Sequence, residues 1–185
     1  MLSHDQESAP GRTRVLTLST ISFTLLFAVW LMFGILGKPM SKEYDLSEVQ
    51  LSWIIAAAVL NGSLWRLPAG MITDRIGGRK VMTFLLVGTA VPAYLVSRAD
   101  SYAMLVVLAF FVGFAGNSFS SGIAWNSAWQ PRSHQGFALG VFGAGNVGAS
   151  VTKFIGPPII AGTAGASYFG FLPGGWRLVP VVYAV

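Results

Sequence analysis

The sequence predicts an all-α protein that crosses a membrane several times, and three observations predict it. Of the 185 residues, 54% are hydrophobic and 10% charged, where a soluble domain carries roughly a quarter charged residues. Mean hydropathy is +0.63. The apolar residues gather into runs of membrane-spanning length, and those runs contain no Asp, Glu or His. Such a composition excludes an ordinary water-soluble globule, and it excludes disorder, which requires low hydrophobicity and high charge. The absence of cysteine removes disulfide scaffolds, thiolate metal sites and cysteine nucleophiles. His4 and His134 both lie outside the apolar runs, so no histidine metal site is expected, and no cofactor. The net charge is +5, but the 12 Lys and Arg are scattered and never form a basic block, which argues against a nucleic-acid partner.

Taken in order, residues 1–14 form a polar tail. Residues 15–36 follow as the first run, long enough to cross about 30 Å of hydrocarbon and too long for a signal-peptide core. A retained helix is expected there. The second run, 51–72, is interrupted by Asn61, Gly62, Ser63, Arg66 and Pro68. The third is 81–96, the fourth 102–129 and the fifth 137–161. A sixth, 176–185, is still apolar at Val185, so it reads as a helix truncated within a longer protein. Residues 15–185 are thus expected to form one half-bundle. With the N-terminus inside, the cytoplasmic segments hold Arg12, Arg14, Arg75, Arg79, Lys80 and Arg132, against Lys38, Lys42, Arg98 and Arg177 outside. This balance favours a cytoplasmic N-terminus. Tyr44, Trp53, Tyr102, Trp129 and Trp176 fall near the expected helix ends, as an interfacial aromatic belt would.

The link between the second and third runs is the most specific string in the chain: Gly70-Met71-Ile72-Thr73-Asp74-Arg75-Ile76-Gly77-Gly78-Arg79-Lys80. Asp74 stands at the C-terminal end of a helix, where the dipole disfavours an anion. Compensation is expected from Arg75, Arg79 or another helix's N-terminus. Gly77 and Gly78 permit a tight reversal. A plain positive-inside loop accounts for the cations but not for Asp74 or the glycine spacing. The string resembles the signature loop of the major facilitator superfamily, in letters and in location. That resemblance implies a transporter of twelve helices in two six-helix halves, of which this chain is the N-terminal one, cut within helix six.

Two charges lie at membrane depth. Arg66 is eight residues before Asp74, about 12 Å along a helix axis. An arginine in a span costs roughly 2.5–3.5 kcal/mol on insertion scales and usually faces a cavity or a partner. Its guanidinium is a planar fork of donors suited to a planar oxyanion. The alternative is snorkelling to the headgroups. Lys153, near Pro157 and Pro158 on the fifth helix, is open to the same two readings. The fourth helix carries Gly116-Asn117-Ser118-Phe119-Ser120-Ser121-Gly122 and then Asn126. Asn117 and Ser120 are candidates for a substrate contact, or equally for gluing helices together. The fifth carries Gly143-Ala144-Gly145-Asn146-Val147-Gly148. This matches a dinucleotide-binding string literally but lacks the preceding strand and the following acid that such a site needs. Gly140, Ala144 and Gly148 recur every four residues, so a neighbouring backbone is expected to approach closely along them.

Arg66 together with Gly143-Ala144-Gly145-Asn146-Val147-Gly148 and Pro157 looks like the nitrate/nitrite porter branch of the superfamily. Arg66-Leu67-Pro68-Ala69-Gly70 and Gln135-Gly136-Phe137-Ala138-Leu139-Gly140 are similar to it as well, so the resemblance runs over residues 27–161. It implies that Arg66 contacts the anion and that Gly143, Gly145 and Asn146 belong to the nitrate signature. Val151-Thr152-Lys153-Phe154 resembles the nitrate–proton symporters, which makes Lys153 the coupling candidate. The implied partners are nitrate or nitrite, protons, membrane lipid and a C-terminal half, in a bacterial inner membrane. Nitrate and nitrite are both small planar anions that one guanidinium can engage. Drawing one anion into a negative interior costs roughly 2.3 kcal/mol per 100 mV, and the resemblance implies that this is met by symport with more than one proton per nitrate or by exchange for internal nitrite. A carrier of another small solute would not need Arg66. A membrane enzyme would need a nucleophile–base pair or metal cluster, which the sequence lacks, and a structural subunit would leave Arg66, Asn117 and Asn146 without a shared purpose.

Overall fold

A computed structural model describes residues 11–168 and 172–185; most of the predicted polar tail, up to Pro10, lies outside the described residues. The first span begins at α1 (Arg12–Trp30) and continues past a two-residue break into α2 (Phe33–Tyr44). Together they form a 33-residue apolar span, longer at both ends than the expected 15–36. At its start the Arg12 side chain donates to the Trp129 carbonyl at 3.2 Å, which ties the basic stub to another helix. At its far end Gly37-Lys38-Pro39 reads locally as a breaker, yet Pro39 sits inside α2. Leu36 and Met40 on either side are fully buried, so packing outweighs the one lost hydrogen bond.

The second span opens on a capping box in which Ser47 accepts from the Gln50 N–H while Gln50 accepts from the Ser47 N–H. It comprises α3 (Glu48–Leu64) and α4 (Arg66–Ile76), bent by 42° at Trp65. Pro68 falls in the first turn of α4, where its missing N–H would have had no intrahelical partner. Gly77 alone links α4 to α5 (Gly78–Val96), with φ 92°, a conformation that glycine adopts without strain. The fourth span, Tyr102–Trp129, is α6 (Tyr102–Val112) and α7 (Ser118–Trp129) joined by a 3₁₀ turn. The fifth is built the same way, from α8 (Gln135–Gly143) and α9 (Gly148–Gly162) around a 3₁₀ turn at Ala144–Val147. A short hairpin that the apolar pattern does not predict follows, pairing β1 (Ser167–Tyr168) with β2 (Leu172–Pro173). The chain then re-enters a helix through a 3₁₀ turn at Gly175–Arg177 and α10 (Leu178–Ala184).

The centre of the bundle is the first span, which packs against α5, α7, α8, α9 and α10. Phe23, Leu26, Met32, Phe33, Leu36 and Met40 are all buried along it. At the Tyr44 end, one polar cluster ties three segments together. Arg177 pairs with Glu43, donates to the Ser97 and Ala99 carbonyls at 2.8 and 2.9 Å, and reaches the Tyr44 hydroxyl. Trp176 donates to the other Glu43 oxygen at 2.6 Å. The sequence places Glu43 and Arg177 only as opposite charges in separate loops.

Candidate substrate site

Arg66 is the first residue of α4, at the bend of the second span. Its Nε donates to the Gly62 carbonyl at 2.9 Å, one helical turn back. The guanidinium carbon lies 5.4 Å from the Trp30 ring centre and 5.6 Å from that of Phe119. The half-buried side chain therefore sits on rings of the first and fourth spans, toward the bundle interior, rather than along the outer surface as a snorkelling arginine would. Among the described residues neither Nη1 nor Nη2 has a hydrogen-bond partner, so both ends of the fork are free to donate.

An aromatic wall continues from this point. Trp30 meets Phe27 at 5.4 Å, Phe27 meets Phe23 at 5.2 Å, and Phe23 stacks on Phe142 at 4.7 Å. Phe119 closes the group at 5.7 Å from Phe23 and 6.3 Å from Phe142. Sequence reasoning did not single out these rings. Their one local signal is the four-residue spacing of Phe23 and Phe27 on α1; Phe119 and Phe142 come from distant segments.

The polar string of the fourth span divides. Phe119 is its member in contact with Arg66. Asn117 is 1% exposed and its Oδ1 is buried without a partner among the described residues. Ser120 donates to the Asn117 carbonyl at 3.1 Å and lies beside Gly70 of α4. Asn126 donates to the Gly122 carbonyl of its own helix at 2.9 Å and to Ser19 Oγ of α1 at 2.8 Å, the second bond being helix-to-helix glue.

On the fifth span the structure departs from the expected seam. Gly140 faces open space and Ala144 is exposed, so the four-residue stripe is not one packed face. The close approach runs instead through Gly145, Gly148, Thr152 and Gly156. A Cβ on Gly148 would overlap the Thr24 carbonyl, Thr152 donates to the Ala28 carbonyl at 3.0 Å, and a Cβ on Gly156 would meet Ile35 at 3.2 Å. Two of the 3₁₀ residues in the signature split accordingly: Gly145 packs on Phe23 and Thr24, while Asn146 is exposed and its side chain makes no hydrogen bond among the described residues. Gly143 has nothing within 4 Å of where a Cβ would stand. Lys153, one residue after the buried Thr152, is exposed and also without a described partner. It points away from α1 instead of lying buried in this half.

The glycine-linked string keeps its compact form but not the expected ion pair. Asp74, Arg75 and Arg79 are exposed, and Asp74 pairs with neither cation among the described residues. Asp74 and Arg75 occupy the last turn of α4, and Arg79 the first turn of α5. Of the compensating groups anticipated for Asp74, the N-terminus of the next helix is the one that remains, since α5 starts directly after Gly77.

A half-bundle of bent apolar spans notched by glycine and 3₁₀ turns, with a cation held on its inner side, is that of a polytopic membrane protein. The chain belongs to the major facilitator superfamily, whose family model matches residues 18–185. It is accordingly a multi-pass integral membrane protein with one six-helix half of that fold. Among known proteins it is 66% identical over 97% of its length to a probable nitrate/nitrite antiporter, NarK1, of Thermus thermophilus. It is 35% identical over 81% of its length to a probable nitrate transporter, NarT, of Staphylococcus carnosus. A probable nitrate/nitrite transporter, NarK2, of Mycobacterium tuberculosis is 33% identical, again over 81% of the chain. The chain spans 41%, 38% and 39% of the lengths of these three relatives.

Proposed function

We propose that this chain is one half of a transporter that carries nitrate, nitrite or both by alternating access, working with a second six-helix half around a central site. One observation carries the reading: Arg66 is held against two aromatic faces of the bundle with both Nη groups unpaired among the described residues. A planar guanidinium in a poorly solvated setting binds a planar oxyanion by two parallel charge-assisted hydrogen bonds. Asn117, Ser120, Gly143, Gly145 and Asn146 are the further substrate-site candidates, with the exposed Asn146 amide available from the fifth span. The names of the three relatives support the substrate class. In this reading the protein sits in a bacterial inner membrane with its N-terminus in the cytoplasm, which puts Gly77 on the inner side and the Glu43–Arg177 pair on the outer.

For the driving force we propose coupling to protons, with the exposed Lys153 as the group that carries the coupling in this half. The antiporter name of the Thermus relative favours a second reading, exchange of nitrate for nitrite. Proteoliposomes of protein carrying both halves separate the two. Proton coupling predicts nitrate uptake driven by an inward proton gradient with no internal anion, and exchange predicts uptake only when nitrite is loaded inside. Arg66→Lys keeps the charge but loses the fork, and nitrate affinity is expected to fall by about tenfold. Unchanged affinity would remove Arg66 from the site.

A further inference from the structure

Trp30 occupies an unusual seat. It is the last residue of α1, 8% exposed, and its indole is wedged between glycines of two other spans. A Cβ on Gly62 of α3 would stand 2.8 Å from the indole Cε2 and Nε1, and a Cβ on Gly116 would stand 2.7 Å from Cε2. No residue but glycine leaves this slot at either position. The indole N–H is used as well, donating to the Ala58 carbonyl of α3 at 3.0 Å. One face of the ring then meets the Arg66 guanidinium at 5.4 Å. Gly62, one of the two glycines of the slot, also supplies the carbonyl that holds Arg66 Nε.

We infer that Trp30 is a positioning residue for the anion-binding fork of Arg66. The inference rests on the proposed role of Arg66 as the substrate contact. Three of the restraints on the guanidinium pass through this slot: the ring beneath it, the carbonyl of Gly62, and the angle at which α3 approaches the bend. The ring attracts the cation through its negative face. It cannot shift without colliding with a glycine backbone or losing its bond to Ala58. The fork is therefore aimed before the anion arrives, so binding does not have to order a long, flexible side chain. Gly62, Gly116 and Trp30 would act as one unit even though none needs to touch the anion.

Graded fluorination of the Trp30 indole in protein carrying both halves tests this, because fluorine withdraws charge from the ring face while leaving its shape and N–H in place. Mono-, di- and trifluorotryptophan would be introduced at this position alone, and nitrate Kd and thermal stability measured in detergent. The Kd is expected to climb with each fluorine, by about threefold to tenfold across the series, with the melting temperature constant. A flat or falling Kd overturns the inference, and so does a Kd that rises only in step with lost stability. Arg66→Lys measured alongside identifies which idea has failed. If that variant binds nitrate as the parent does, Arg66 is not the anion site and both readings fall. If it loses affinity while the fluorine series stays flat, only the positioning role of Trp30 falls.

Discussion

Arg177→Gln is expected to loosen the Tyr44 end of the bundle more than Glu43→Gln. Arg177 donates to a carboxylate, a hydroxyl and two backbone carbonyls drawn from α2 and the turn before α6. Hydrogen bonds from a charged donor are worth roughly 1.5–3 kcal/mol each when fully desolvated. The side chains of Arg177 and Glu43 are 19% and 41% exposed, so the ion pair itself is screened and contributes at most about 1 kcal/mol. The bonds to Ser97 and Ala99 are the better sheltered part, and glutamine cannot span both carbonyls. Discounted by about half for the partial exposure of Arg177, their loss together with the ion pair amounts to roughly 2–3 kcal/mol. Glu43→Gln keeps one acceptor, for Trp176 or Arg177, and gives up the other bond with the screened charge, about 1–1.5 kcal/mol. Unfolding titrations with SDS in mixed micelles would measure both. Equal losses, or a larger loss for Glu43→Gln, would refute the assignment of the stabilisation to the carbonyl contacts.

Gly148→Ala places a methyl group against the Thr24 carbonyl and the Ala28 N–H of α1. It should cost roughly 1–3 kcal/mol in the same titration. Gly143→Ala, which has open space around it, should leave stability unchanged. Ser47→Ala removes one arm of the capping box and should cost about 1 kcal/mol, read as faster amide exchange in the first turn of α3. Lys153→Gln should abolish the proton dependence of nitrate uptake in proteoliposomes; an unchanged pH profile would remove Lys153 from coupling and leave exchange for nitrite as the driving force.

The spans were legible because the hydrocarbon imposes a length and a composition that no soluble fold shares. Gly77 was legible for a different reason: a one-residue link between helices admits few backbones, and glycine supplies the one seen. Arg66 stood out because a guanidinium at membrane depth is costly, with snorkelling as its one bland reading. Its seat was not readable. Trp30, Phe119, Phe23 and Phe142 come from three spans, and which rings meet depends on helix rotations that a run of apolar residues leaves undetermined. The fifth helix shows the same limit. The four-residue rule chose Gly140, Ala144 and Gly148, but the 3₁₀ turn at Ala144–Val147 shifts the angular register, so Gly145 joins Gly148 on the packed face. Lys153 was expected at depth from its position in the run. A neighbour one residue away, Thr152, takes the inward direction, so the ammonium turns outward.

The link at Gly77 has a mechanical corollary. With a single residue between α4 and α5, neither rod has slack to slide lengthwise past its neighbour. Gly78 is seated directly under the indole of Trp125 on α7, where a methyl group would overlap it. The link and the Gly78–Trp125 contact thus join α4 through α5 to α7, the rod whose Phe119 faces Arg66. A closely packed path without a linker loop therefore runs from the Gly77 end of the bundle to the rings that hold Arg66.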